Sequence, residues 1–177
     1  MRLPKEFYLC SAPELAPKLL GKLLCRKIIF TDANKTHQEK IIKLRITETE
    51  CYFGESDTAC HASKGRTKRT EIMYHEGGVA YVYLCYGIHS LINVVSGPEN
   101  SPEAVLLRGV EGFDGPGKLT KAMNIDTSLN GHSFISSDEI WIEDDNTSVA
   151  YDVGKRIGID YATEEYRNIL WRFSVKK

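Results

Sequence analysis

Two runs rich in β-branched and aromatic residues, Val79–Cys85 and Ile88–Ser96, are separated only by Tyr86-Gly87. A link that short requires a tight antiparallel turn with an aromatic side chain at its tip. Further strand-like runs lie at Lys22–Phe30, Ile41–Cys51, Ala104–Val110, Ile140–Glu143 and Trp171–Val175. The first two are divided by the turn-rich Thr31-Asp-Ala-Asn34, so a hairpin is expected there as well. Helices are few. Ser11–Gly21 reads as a short one with Ser11 as N-cap, Pro13 in the first turn, Pro17 limiting its length and Gly21 as its stop. Gly115–Met123 reads as another, and Phe53–Gly78 as mostly loop. The expected fold class is α+β: a single domain over 1–177 with a curved, mainly antiparallel sheet and peripheral helices.

A chain of 177 residues buries a real core without help from disulfides or a structural metal. Hydrophobic residues at 42% and charged residues at 27% describe a globular protein, and the net charge of −1 gives no hint of a nucleic-acid partner. Distribution is more telling than the sum. Lys64, Arg66, Lys68 and Arg69 cluster in one stretch, while Asp138, Glu139, Glu143, Asp144 and Asp145 cluster in another that reads as a solvated loop. The five cysteines are an odd number without C-x-x-C spacing, which predicts reduced thiols and no zinc site. No apolar run approaches the ~20 residues of a membrane span, so a cytoplasmic protein is expected.

Chemistry enters at Arg45–Tyr52. Period-2 alternation sends Glu48, Glu50 and Tyr52 to one face and Thr47, Thr49 and Cys51 to the other. The same pattern suits an edge strand with a solvated acidic face. His61 follows, and Tyr81, Tyr83 and Tyr86 fall within one hairpin, with Tyr81 and Tyr83 on the same face. Those tyrosines suit a sheet core. They also suit a flat slot for a purine, where electron-rich rings favour a positively charged alkylated base by ~0.5–2 kcal/mol per good contact. Releasing such a base requires a water activated by an ionised carboxylate, and Glu50 is the candidate.

Taken in order, Glu48-Thr-Glu-Cys-Tyr52, His61, Thr67-Lys-Arg69, Met73, Tyr81–Gly87, Asn93-Val, Val105-Leu-Leu-Arg108, Gly115-Pro-Gly-Lys-Leu119, Arg156-Ile-Gly-Ile159 and Arg172-Phe173 resemble the alkyladenine (3-methyladenine, methylpurine) DNA glycosylase family. Each motif is weak; the ordered set spans nearly the whole chain and is specific. One departure is Lys68, which stands where the family often has proline.

The resemblance implies a fold like the C-terminal domain of methionyl-tRNA formyltransferase and a monomer acting on double-stranded DNA that contains damaged purines, in the cytosol or nucleoid, without cofactor or metal. It implies that Glu50 deprotonates the water, assisted by Arg108 and by the backbone carbonyl of Ile157, while Glu48 is structural. Charge pairing with Arg108 is expected to keep Glu50 ionised. Tyr52, His61 and Tyr83 match residues that sandwich the flipped base, and Asn93 matches the one that rejects the amino group of guanine. Tyr86 matches the side chain that fills the hole left in the duplex, and Thr67, Arg69 and Lys118 read as phosphate contacts. The expected reaction leaves an abasic site without lyase action. The competing reading is a non-catalytic nucleic-acid-binding module of the same fold, which has no use for Glu50. A zinc nucleobase deaminase is set aside because no P-C-x-x-C is present.

Overall fold

One 17-residue strand organises the computed structural model, which describes residues 1–31 and 35–176. In chain order the elements are α1 (Ala12–Leu19), β1 (Leu23–Thr31), β2 (His37–Phe53), β3 (Ala80–Cys85), β4 (His89–Ser96), β5 (Glu103–Val110), β6 (Phe113–Asp114), α2 (Pro116–Ala122), β7 (Ile140–Glu143), β8 (Tyr151–Gly154), α3 (Glu164–Asn168) and β9 (Arg172–Val175). Between β2 and β3 the chain is loop with two short 3₁₀ turns, His61–Lys64 and Glu71–Tyr74. Of the turn expected at Thr31–Asn34, residues 32–34 lie outside the described residues.

The nine strands form one sheet in the order β3-β4-β5-β2-β1-β7, with β6 added on β5 and β9 linking β2 to β8. Every pairing among the described residues is antiparallel, giving the α+β architecture expected from the sequence. The long strand β2 serves two neighbourhoods. Its first half, up to Arg45, pairs with β1; its second half, Ile46–Phe53, pairs with β5 and, at Glu48–Glu50, also with β9. The acidic strand is therefore interior to the sheet where it matters and is not an edge.

Helix α1 explains why one face of β2 is apolar. Its N-cap, Ser11, is extended, and the Ser11 N–H donates to the Glu14 carboxylate at 3.3 Å, satisfying one of the exposed first-turn donors. Leu15, Ala16 and Leu19 face inward without exposure, in a cluster with Ile46, Cys51, Val105 and Leu107 of the sheet. The Thr49 hydroxyl donates to the Ala16 carbonyl at 2.9 Å and ties helix to strand. Pro17 shortens the helix to eight residues without breaking it, and Gly21, at φ +81°, lets the chain turn into β1.

The acidic run departs only in part from the expected solvated loop: Asp138, Glu139 and Asp145 are exposed and outside any strand, but the end of the run is ion-paired. Glu143 lies in β7 and bonds to Lys43 at 2.7 Å and to the Trp141 indole N–H at 2.7 Å; Asp144 pairs with Lys22 and Asp145 with Arg45. These acids offset Lys43 and Arg45 of β2 and Lys22 just before β1. β8 and α3, in the segment after β7, carry too weak a periodicity to be read from sequence. The five cysteines are all free thiols.

Gly77 joins the loop to the core: its N–H donates to the Gly97 carbonyl at 2.9 Å, and a Cβ at this position would stand 2.3 Å from the carbonyl oxygen of the fully buried Tyr8. Gly77→Ala should cost about 1–3 kcal/mol, the usual range for overpacking, because backbone must move. Urea titration of the variant beside wild type checks this; an unchanged midpoint would show that the Tyr8 backbone yields freely.

Candidate active site

Along the second half of β2 the alternation holds. Thr49 and Cys51 point into the α1 side of the core, while Glu48, Glu50 and Tyr52 share the opposite face. The pairing with β5 slips twice there: Ile46 pairs with Val110, Glu48 with Gly109 and Thr49 with Leu107, leaving Thr47 as an extra residue on β2 and Arg108 as an extra residue on β5. Such a bulge re-aims a side chain. Arg108 reaches both acids, with Nε 3.5 Å from Glu48 Oε1 and Nη1 3.5 Å from Glu50 Oε1.

Glu50 is a fully buried carboxylate with partners on both oxygens. Oε1 accepts the Ile157 N–H at 2.8 Å, and Oε2 accepts the Tyr52 hydroxyl at 3.0 Å. Burial nonetheless pushes its pKa above the ordinary value of 4.5, against the pull of Arg108, the Ile157 N–H and the Tyr52 hydroxyl. This corrects the expectation that charge pairing decides the matter: desolvation is the larger effect. Glu48 is held differently, by Arg172 Nη1 at 3.0 Å, which fits a structural acid. Ile157 contributes its main chain while its side chain is half exposed, and the atom that meets Glu50 is its N–H.

A cleft of about 630 Å³ is lined by Tyr52, Arg108 and Ile157, which contact Glu50, and also by His61, Tyr83 and Tyr86, while Glu50 itself is fully buried behind those three partners. Behind the cleft lies a narrow recess of about 30 Å³ between Tyr52, His61, Tyr83 and Asn93. His61 and Tyr83 meet edge-on with ring centroids 4.6 Å apart, and Tyr81 tilts against Tyr83 at 5.3 Å. His61 Nδ1 shares a hydrogen bond of 2.9 Å with the Tyr81 hydroxyl. Burial, with Arg69 and Lys64 nearby, drives the His61 pKa down to about 4, so the ring is neutral at physiological pH. Asn93 is buried opposite Tyr81 in the β3–β4 pairing, and its side-chain N–H donates to the Tyr81 carbonyl at 3.0 Å. That bond fixes the amide at the wall of the recess.

The β3–β4 hairpin ends in a turn with positive φ at both Tyr86 (51°) and Gly87 (71°), closed by the Ile88 N–H to the Cys85 carbonyl at 3.2 Å. Tyr86 is 93% exposed at the tip. On the other side of the hairpin a second groove, lined by Lys118, Gly117, His89 and Tyr86, runs along α2. Thr67 and Arg69 line the first cleft and Lys118 the second, so the phosphate candidates lie on both sides of Tyr86. Arg69 places its guanidinium 5.3 Å over the Tyr83 ring, while Arg66 is engaged with Glu71 and Asn100.

The structure thus gathers Arg108, Ile157, Tyr52, His61, Tyr83 and Asn93 around one cleft and its recess, with Glu50 buried behind Tyr52, Arg108 and Ile157. Sequence reasoning did not assign Tyr81, whose hydroxyl orients His61, although its shared face with Tyr83 was visible. It also missed the buried pair Asp57–Arg156 beneath Tyr52, for which the sequence carried only the Arg156-Ile-Gly-Ile159 motif.

The family model described as methylpurine-DNA glycosylase matches residues 6–177. Relatives whose names place them among 3-methyladenine DNA glycosylases include a protein of Psychrobacter cryohalolentis, 47% identical over 84% of this chain and 80% of the relative. Others are from Borrelia garinii subsp. bavariensis, 42% identical over 98% and 96%, and Natranaerobius thermophilus, 40% identical over 99% and 96%.

His61 carries no charge at neutral pH. Its imidazole should titrate near pH 4 when followed by NMR. An inflection near the ordinary value of about 6.5 would mean that the pocket is far wetter than its burial indicates.

Proposed function

This chain belongs to the methylpurine-DNA glycosylase family, and from that premise we propose that it draws a methylated purine out of duplex DNA into the aromatic cleft and hydrolyses the N-glycosidic bond with a water activated by Glu50. The observation that carries this reading is a carboxylate without solvent exposure whose two oxygens face an amide N–H, a phenol and a guanidinium, immediately behind the wall of an aromatic cleft. An acid kept only for stability gains little from such burial. An acid that must take a proton from water beside a sugar carbon gains a raised pKa and a fixed direction.

Tyr52, His61 and Tyr83 line both the cleft and the recess behind it, where they hold the base, and the Asn93 amide at the recess wall disfavours the guanine amino group, a penalty that 7-methylguanine overcomes through its weakened glycosidic bond. A base already positive from methylation at N3 or N7 departs without being protonated. Deaminated purines are neutral, and the cleft is poor in acids: His61 is neutral and the Tyr52 phenol, pushed well above its ordinary pKa, is committed to Glu50. Hypoxanthine is accordingly a slower substrate than 7-methylguanine. Ile157 contributes its N–H to the base catalyst and its carbonyl to the water, and Arg108 steadies Glu50 while facing the DNA backbone. Thr67, Arg69 and Lys118 contact phosphates on either side of the lesion, and Tyr86 takes the place of the extruded nucleotide, offsetting an unstacking cost of a few kcal/mol.

The product is an intact abasic site. Lys64 is the lysine that lines the cleft, and it is exposed on the 3₁₀ turn 61–64 of the outer wall.

Glu50→Gln should abolish release of 7-methylguanine from a duplex while retaining affinity for lesion DNA, and wild-type product should show strand breaks only after alkali. Undiminished release by the Gln variant would leave the protein without its base catalyst and overturn the reading; loss of binding together with release would favour a purely binding role for the acid. Tyr86→Ala should leave thermal stability unchanged, since the side chain is 93% exposed, yet slow capture of the damaged base in stopped-flow assays. Equal capture rates would remove Tyr86 from the mechanism.

A further inference from the structure

Behind the Tyr52 ring, on the side away from the cleft residues already described, lies a charge that the proposed reaction does not use. Arg156 is 5% exposed, with both ends of its guanidinium on the Asp57 carboxylate, Nη2 to Oδ1 at 2.9 Å. Nη1 also donates to the Cys51 carbonyl at 3.0 Å and Nη2 to the Tyr166 carbonyl at 3.2 Å. Its Cζ stands 5.0 Å from the Tyr52 ring centre and 5.1 Å from that of Trp171. Asp57 in turn accepts the N–H groups of Phe53 at 3.1 Å and Ala59 at 3.0 Å.

A buried ion pair of this kind is a poor source of stability, because taking both ions out of water costs about as much as their attraction returns. What it supplies is geometry. The pair joins four stretches of chain: the end of β2, the loop 57–59 that lines the recess, the end of α3, and the backbone at 156–157. Arg156 Nε is buried without a partner, so the guanidinium sits where the two rings and Asp57 hold it and not where its hydrogen bonding would be most complete. The next peptide N–H along the chain from Arg156 is that of Ile157, the donor to Glu50. The ring over its guanidinium is that of Tyr52, the other donor to Glu50.

We propose that Arg156, locked by Asp57, is the positioning residue of the site: through the Ile157 N–H and the Tyr52 ring it sets both donors on Glu50 and the plane against which the extruded base stacks. The inference rests on the catalytic role given to Glu50 above. A shift of one ångström in either donor is enough to lose about 10²-fold in rate. Glu50 is faced by Glu48 and Tyr52 on its own strand, by Arg108 from β5, by Ile157 and Tyr161 from the segment after β8, and by Arg172 from β9 through Glu48. Loosening the Ile157 N–H and the Tyr52 hydroxyl removes two of the interactions that hold its pKa down, leaving burial and Glu48 to raise it further. Because the ionised form does the work, the loss of rate on acidification then begins at a higher pH.

The experiment is single-turnover release of 7-methylguanine across pH for wild type, Arg156→Lys and Asp57→Asn, with binding measured on a duplex carrying a tetrahydrofuran abasic-site analogue. Phe134→Leu, a core substitution outside the site, serves as the stability control. We expect a fall of about 10²-fold in the rate for both site variants, an acid limb moved to higher pH, and little change in affinity. Should Arg156→Lys fail to fold, Asp57→Asn, which keeps the shape of the acid and removes its charge, carries the same expectations. An acid limb that stays in place, or a rate that falls only in step with melting temperature as in the Phe134 control, overturns the proposal. Failure of the underlying reading looks different: there Glu50→Gln itself leaves wild-type release intact.

Discussion

Taking a carboxylate out of water is the condition around which this structure is arranged. An unpaired acid at zero exposure neutralises itself by binding a proton, and a fully paired one is too weak a base to be useful. Glu50 stands between these limits. Burial pulls it one way; a guanidinium at 3.5 Å, an amide N–H at 2.8 Å and a phenol at 3.0 Å pull it the other. Those three donors come from β5, from the chain after β8 and from β2 itself, so the protonation state of one side chain depends on the closure of distant parts of the sequence. The sheet must be complete before the acid acquires its character.

The length of β2 makes that closure possible. A strand that pairs with β1 in one half and with β5 and β9 in the other carries its second half into the interior of the sheet, where neighbours on both edges exclude water. Around Glu48 the register slips and then recovers: Thr47 of β2 and Arg108 of β5 are each left without a partner, and the pairing from Thr49 onward is again regular. Arg108, beside Glu48 on the neighbouring strand, is the counter-charge that both acids share.

How much of this was legible beforehand follows the range of the interactions. Alternation within β2 was visible because it is a property of adjacent residues: Glu50 and Tyr52 share a face for reasons local to their own strand. The hairpin with Tyr86 at its tip was visible for the same reason. Burial of Glu50 was not, since it depends on β9, more than a hundred residues later in the chain, and its acidic face looked as much like an edge as an interior. The Asp57–Arg156 pair was still further out of reach, because an aspartate in a polar loop gives no sign that an arginine will meet it in the dark. The acidic run 138–145 was legible as an exposed loop at Asp138 and Glu139, but its pairing was not, because Lys22, Lys43 and Arg45, which complement its end, lie elsewhere in sequence. Where the ordered motifs resembled a known family, they carried this long-range information without explaining it.

The pairing of those acids has an effect on how the molecule meets a polyanion. Glu143, Asp144 and Asp145 are each paired with a cation, Lys43, Lys22 and Arg45, so this acidic run adds little net negative field, while Lys64 at the first groove and Lys118 and Lys121 at the second are exposed. In the proposed reading those lysines give the grooves a local attraction for phosphate that a net charge of −1 does not announce, and salt weakens it.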